Sequence, residues 1–356
     1  MSGVDKLPQH VDRSAMQVVV RSRLQDMNGR DSDSGEAFLL RVSKWMHGWS
    51  QQCLAEKGVA GMKSIGPFAV VMPPLGGADP LAGWSDAPFF EEEPPSDLGG
   101  CIAITSTSFA HVQTLMTGCT RLMELGERLS SLGLRDQPMA VVIPSKGLVR
   151  LCPGGVFGEK ISIGLDAAPM TDIDEATMDR ELQSFHDLCL RYPDGVSHAW
   201  HDRKQRVLRR DAEAIVRDAL FVYLSWKAFS SKIVLREHQT SVGRSDISLL
   251  DNSRGQAVTS CIMELKVLRS RGMTKSKKEK PYKPETMRRH CLMGVKQAMK
   301  YKNAENAPLA YLCLYDGRDA DDEVPDAKTA ADAGVILYRR YFMETSTRDD
   351  LEPAAA

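Results

Sequence analysis

The sequence predicts a mixed α/β fold, and three observations carry that expectation. Short aliphatic runs suited to strands are interspersed with longer stretches whose apolar residues recur at three- and four-residue steps, the helical period. Of the 356 residues, 42% are hydrophobic and 26% charged, which supplies a sizeable core and excludes a disordered or collagen-like chain. At roughly 150 residues per domain the length implies two domains, and the reading changes character after Pro193, Asp194 and Gly195.

The first 35 residues are polar, with a loop rich in Gly, Asp and Ser over 29–35. Phe38, Leu39, Val42, Trp45, Met46 and Trp49 then mark one face of a helix over 36–57. Strands are expected at 67–72 and 101–105. Between them, 73–100 holds six of the eighteen prolines; proline fixes φ and lacks an amide donor, so this is a loop or lid. A helix over 109–132 and strands at 139–143, 148–152 and 160–164 follow. Asp172 and Glu175 have the spacing of a capping box before a helix reaching Tyr192, which Pro193 and Gly195 stop. This half holds no phosphate loop, no GxGxxG motif and no acid–base constellation, so its sequence assigns it no function.

Beyond it, a long helical pattern over 202–229 carries Ala212, Ile215, Ala219, Val222 and Trp226 along one stripe. Strands are expected at 232–238, 244–250 and 258–267. The charged stretch 269–284, with little apolar beyond Met273 and Tyr282, reads as a mobile loop. A helix over 285–302 should pack Met287, Cys291, Val295 and Met299 on the sheet, before strands at 309–315 and 334–341. The expected division is therefore a first α/β domain over 1–195, a second over 196–345, and a polar tail over 346–356.

The chemistry concentrates between Gly243 and Lys266. Strand alternation puts Glu264 and Lys266 on one face and Met263, Leu265 and Val267 on the other. Turn formers at 251–256 suggest a hairpin; if it is symmetric about Gly255, Asp246 and Glu264 stand opposite each other. Two carboxylates so placed can share one divalent cation, and hard oxygen ligands suit Mg²⁺ or Mn²⁺. Such an ion polarises a phosphate and lowers the pKa of a water. Lys266 can orient or deprotonate that water and offset charge on the phosphorus oxygens. For the Glu-x-Lys triplet alone, an ion pair on an exposed sheet face is the competing reading.

The succession of Gly243, Arg244 and Asp246, a hairpin, a strand bearing Glu264 and Lys266, and a helix carrying Gln297 and Tyr301 at QxxxY spacing resembles the PD-(D/E)XK nuclease superfamily, the RecB-type nucleases in particular. The resemblance covers about 197–342. It implies a restriction-endonuclease-like α-β-β-β-α-β core beside a separate N-terminal α/β domain, and a divalent-metal-dependent nuclease. By it, Asp246, Glu264 and the Leu265 carbonyl are metal ligands and Lys266 is the catalytic lysine. Gln297 and Tyr301, one turn apart, flank the site and place the substrate phosphate or the lysine. Glu213 matches an additional acidic ligand on the first core helix, and a salt bridge to Arg206, Arg209 or Arg210 explains it equally. Glu237 occupies a strand position where related nucleases also carry glutamate; a cross-strand basic partner is its other reading. Ser245 stands where the family often has proline.

The net charge of −1 conceals a division. From Glu264 to Lys302 there are thirteen Lys and Arg against three acids, +10 in thirty-nine residues. Arg244, Arg269, Arg271, Lys275, Lys277, Lys278, Arg288, Arg289 and Lys300 are the candidate phosphate contacts, with DNA favoured over RNA by the resemblance. Genome defence, restriction and repair are the roles such a chain would serve. The rivals are a catalytically inactive nucleic-acid-binding module on the same fold and a sensor whose first half does the main work. That first half is the expected seat of a protein partner or of self-association. Eight scattered cysteines without a CxxC pair, no secretory signal and no apolar run of about 18 residues point to a cytoplasmic protein with no membrane partner.

Overall fold

Three sheets organise the chain in the computed structural model, which describes residues 35–74, 84–87, 90, 95–106, 109, 111–158, 160–165, 170–191, 199–202, 205–228, 231–253, 255, 257–273, 278–318 and 327–341. The fold is mixed α/β. Helix α1 (Gly35–Lys63) runs past the expected end at 57 and kinks at Gly58, whose φ of 67° suits a residue without Cβ. It lies on a seven-stranded sheet built from β1 (Phe68–Val71), β2 (Ser85–Asp86), β3 (Cys101–Thr105), β4 (Val112–Met116), β5 (Met139–Ile143), β6 (Leu148–Cys152) and β7 (Ile161–Gly164), in the order β2-β4-β3-β1-β5-β6-β7. Alternation sorts its side chains. Phe68, Val70, Ala140, Val142, Val149 and Leu151 join the cluster under α1, while Ala69, Val71, Met139 and Val141 meet Leu125 and Leu129 of α2 (Leu122–Ser131) on the other face.

The single helix expected over 109–132 is instead strand, turn and helix. β4 pairs antiparallel with β3, and the turn after it is fixed by Gly118 at φ 69° and by the Thr117 hydroxyl donating to the Gly100 carbonyl at 2.6 Å. The cap of α3 (Glu175–Phe185) also differs. Asp174, not Asp172, accepts from the Thr177 amide at 2.8 Å, and the helix passes into a π turn over His186–Leu190.

The expected helix over 202–229 begins only at Ala212. Before it, β8 (Trp200–Asp202) and β9 (Val207–Leu208) enter a small sheet with β13 (Arg271–Met273) and β14 (Glu279–Pro281), in the order β14-β13-β9-β8. Burial of Val207 and Leu208 and their parallel pairing with Arg271 and Gly272 win over local helical periodicity. The same pairing gives part of 269–284, expected as a loop, regular structure.

Helix α4 (Ala212–Lys227) then leads into β10 (Lys232–Thr240), β11 (Gly243–Asp251) and β12 (Val258–Leu268). Helix α5 (Pro284–Glu305), β15 (Leu309–Asp316), α6 (Ala327–Asp332) and β16 (Ile336–Tyr341) complete the described chain. The sheet order is β10-β11-β12-β15-β16, antiparallel to β12 and parallel beyond it. Met263, Leu265 and Val267 face α4, as alternation requires, and Leu312 and Leu314 face α5. On α5 the apolar stripe is Met287, Cys291, Val295 and Ala298; Met299, expected in it, is exposed, because a 3.6-residue period drifts off four-residue steps.

The expected boundary near 195 lies outside the described residues. The apolar cluster itself runs on from α1 through α3 and α4 to β11, β12, β15 and Tyr338. Phe185 of α3 stands with its ring centroid 5.5 Å from Tyr223 and 6.1 Å from Tyr315, and the Tyr311 hydroxyl donates to Asp179 at 3.0 Å. Among the described residues no helix is long and apolar enough to cross a membrane.

Candidate functional site

The site grows from a change of register between β11 and β12. The ladder begins Asp251↔Val258 and Leu250↔Thr259, then shifts to Leu249↔Cys261, Ser248↔Ile262 and Ile247↔Met263, leaving Ser260 as the extra residue of a bulge. The bulge converts a hairpin centred just before Gly255 into one centred on it, and that register sets Asp246 against Glu264. Past Met263 the ladder with β11 ends, and two β12 amides turn to carboxylates instead. Leu265 N–H donates to Asp246 Oδ2 at 2.8 Å, and Val267 N–H donates to Glu213 Oε2 at 3.3 Å. Because α4 begins at Ala212, Glu213 in its first turn reaches the sheet from above.

Glu264 and Lys266 are only 3% and 6% exposed. Lys266 Nζ donates to Glu264 Oε1 at 2.6 Å and to the Leu265 carbonyl at 2.9 Å, and stands 3.7 Å from Glu213 Oε1. Three carboxylates and one ammonium thus share a poorly solvated pocket. Burial, reinforced by the Asp246 charge, pushes the Glu264 carboxyl up to about 7, and burial also raises Asp246. For Glu213, burial is outweighed by the His290 hydrogen bond and the Lys266 charge, and the net direction is downward. For Lys266, burial opposes the charge, yet Glu213 and Glu264 carry its pKa upward.

Helix α5 covers this face. A Cβ on Gly294 would stand 2.6 Å from Leu312 Cδ1 and 3.2 Å from Lys266 Cγ, so only glycine lets the helix come this close. His290, Gly294, Gln297 and Tyr301 follow one another at four-, three- and four-residue steps and so form one stripe. His290 Nε2 is 3.3 Å from Glu213 Oε2. Tyr301 is buried against Gly243, three residues before Asp246 on β11. Gln297 lies half-buried between them.

A second tier stands behind Asp246. Arg217 Nη1 bonds Glu237 Oε1 at 2.7 Å and stands 3.8 Å from Asp246 Oδ1, while Arg244 bonds the other Glu237 oxygen at 3.2 Å. Glu237 thus has basic partners from α4 and from β11. It also adopts φ 51°, a left-handed conformation costly for a residue with a side chain, at the position of β10 opposite Asp246.

Of the expected basic contacts, Arg288, Arg289 and Lys278 are exposed, and Lys275 and Lys277 lie outside the described residues. Arg269 is a correction: it is buried, donates to the Arg209 carbonyl at 2.9 Å, and so ties the link between β12 and β13 to the approach of α4 rather than facing solvent. Arg271 pairs with Glu279 at 3.6 Å, and Lys300 donates to the Val242 carbonyl at 2.8 Å.

Among the described residues, no three His, Cys, Asp or Glu side chains form a ready-made metal cluster. The oxygens of Glu264, Glu213 and Leu265 nonetheless already surround a cation, the Lys266 ammonium. The donor set is entirely hard oxygen with a surplus of negative charge, which fits Mg²⁺ or Mn²⁺.

Sequence reasoning missed His290 and Arg217. The first was signalled by its place seven residues before Gln297, two turns along the same face; the second by its place four residues after Glu213. No family model, no curated protein and no solved structure matches the chain.

Proposed function

We propose that the chain is a divalent-metal-dependent nuclease that hydrolyses phosphodiester bonds, with DNA the favoured substrate. One observation carries the reading: Glu213, Asp246, Glu264, the Leu265 carbonyl and Lys266 converge on one buried point, in the order and on the element types of the PD-(D/E)XK pattern. Glu213, Asp246, Glu264 and the Leu265 carbonyl would hold Mg²⁺ or Mn²⁺. When bound, the ion supplies Lewis acidity toward a phosphate oxygen and a water. Lys266, displaced from Glu264, orients the attacking water and offsets charge building on the phosphorus oxygens. Tyr301 and Gln297 line the α5 wall, and exposed Arg288 and Arg289 lie next to His290 on the same helix, where phosphates flanking the cut would be held.

The experiment is cleavage of labelled DNA and RNA by the purified chain with Mg²⁺, Mn²⁺ or EDTA. Metal-dependent cleavage, lost in Asp246→Ala and Lys266→Ala proteins that keep their fold, supports the reading. Undiminished cleavage by both variants would sink it. Metal-dependent nucleic-acid binding without cleavage would instead favour a binding module. Genome defence, restriction or repair are the settings in which such an activity would serve.

A further inference from the structure

Glu213 is restrained asymmetrically. Its Oε2 receives both the Val267 amide and, at 3.3 Å, the Nε2 of His290. Its Oε1 is left toward the centre of the site, 3.7 Å from the ammonium that Glu264 and the Leu265 carbonyl also contact. A glutamate has three side-chain torsions between its backbone and its carboxyl plane, and one amide on one oxygen does not fix that plane. A second donor on the same oxygen from another direction does. His290 comes from a different helix, and the close approach at Gly294, one turn along, fixes its distance from the sheet.

Resting on the metal-dependent reading above, we propose that His290 is the positioning residue of this site. It anchors Glu213 by one oxygen so that the other is presented to the bound cation. The imidazole is itself no ligand in this arrangement; it acts through Glu213. Outer partners of this kind typically account for 10- to 100-fold in metal affinity, and the partial exposure of His290, at 38%, places the expected effect near the lower end, about tenfold.

The test measures Mn²⁺ binding to the full chain by titration calorimetry and by the electron paramagnetic resonance of free Mn²⁺. His290→Ala should weaken Mn²⁺ about tenfold, and His290→Gln, whose amide N–H reaches a similar point, should recover most of the loss. In a Glu213→Gln background, His290→Ala should have little further effect, because the residue through which it acts has already lost its charge. Equal losses from His290→Ala in both backgrounds would show that the histidine acts independently of Glu213 and overturn the proposal. So would unchanged affinity in His290→Ala, or a His290→Gln protein as weak as the alanine variant. If the unsubstituted chain binds no Mn²⁺, the metal reading itself falls, and this outcome is distinct from the others.

Discussion

Replacing Glu264 by Gln should stabilise the fold at alkaline pH and not at acid pH. In the folded chain the Glu264 carboxyl titrates near 7 rather than at its ordinary 4.5, because it is buried beside Asp246. A folded-state value above the unfolded one means that folding favours the protonated form. Its contribution to stability is therefore fully present below about 4.5 and is lost as the pH rises through about 7. At 1.36 kcal/mol per pH unit, the loss approaches ~3 kcal/mol above pH 8. Gln is neutral throughout and its carbonyl oxygen can still accept from Lys266, although a neutral acceptor returns less to the ammonium than a carboxylate does. With that deduction, Glu264→Gln should gain about 2 kcal/mol over the unsubstituted chain at pH 8, and well under 1 kcal/mol at pH 5. Urea unfolding of both proteins at the two pH values, without divalent metal, measures the difference directly. A variant that is less stable at pH 8, or a gap of the same size at both pH values, would refute the argument from burial. If the site binds Mn²⁺ as proposed, adding it should reverse the order at pH 8, since the carboxylate gains more from the ion than the amide that replaces it.

Three further outcomes follow from particular contacts. Lys227 is buried with Nζ 3.3 Å from Glu181 Oε2, so Lys227→Met leaves a buried carboxylate with the Tyr223 hydroxyl and the mostly exposed Arg180, 3.3 Å from its other oxygen, and should cost about 3 kcal/mol by urea unfolding; adding Glu181→Gln should recover part of that loss. Gly243 has φ 148° and a Cβ there would stand 3.1 Å from the Tyr301 ring and hydroxyl, so Gly243→Ala should cost about 1–2 kcal/mol and lower the melting temperature. Neutralising Arg288 and Arg289 together as Gln should flatten the plot of log Kd for a DNA duplex against log salt by about 2, and weaken different sequences alike.

The core of the site was legible because a strand has a period of two and a buried strand tolerates no slip. Met263, Leu265 and Val267 had to share a face, so Glu264 and Lys266 had to share the other. The opposition of Asp246 and Glu264 was read from a hairpin symmetric about Gly255, and it depends on the bulge at Ser260, which nothing local in the sequence announces. Elements were missed where a distant partner decides. The segment 112–116 becomes a strand because β3 is there to pair with, and 207–208 because β13 is. Periodicity alone favoured a helix in both places. His290 was passed over for a related reason. Its role depends on how close α5 approaches β12, and that is set by the missing side chain of Gly294 rather than by any motif.

The apolar cluster that runs from α1 through α3 to β15 also governs how the molecule comes apart. Phe185 belongs to the first part of the chain yet is packed between Tyr223 and Tyr315 of the second, and Lys227 finds its counter-charge on Glu181. Heating should therefore melt the two regions in one calorimetric transition, since neither can loosen while the other keeps its packing. A fragment starting at residue 196 would present the abandoned faces of α4 and β15 to water and self-associate. Surface changes that alter only the stability of the seven-stranded sheet would then be felt at Glu213, through the helix that carries it.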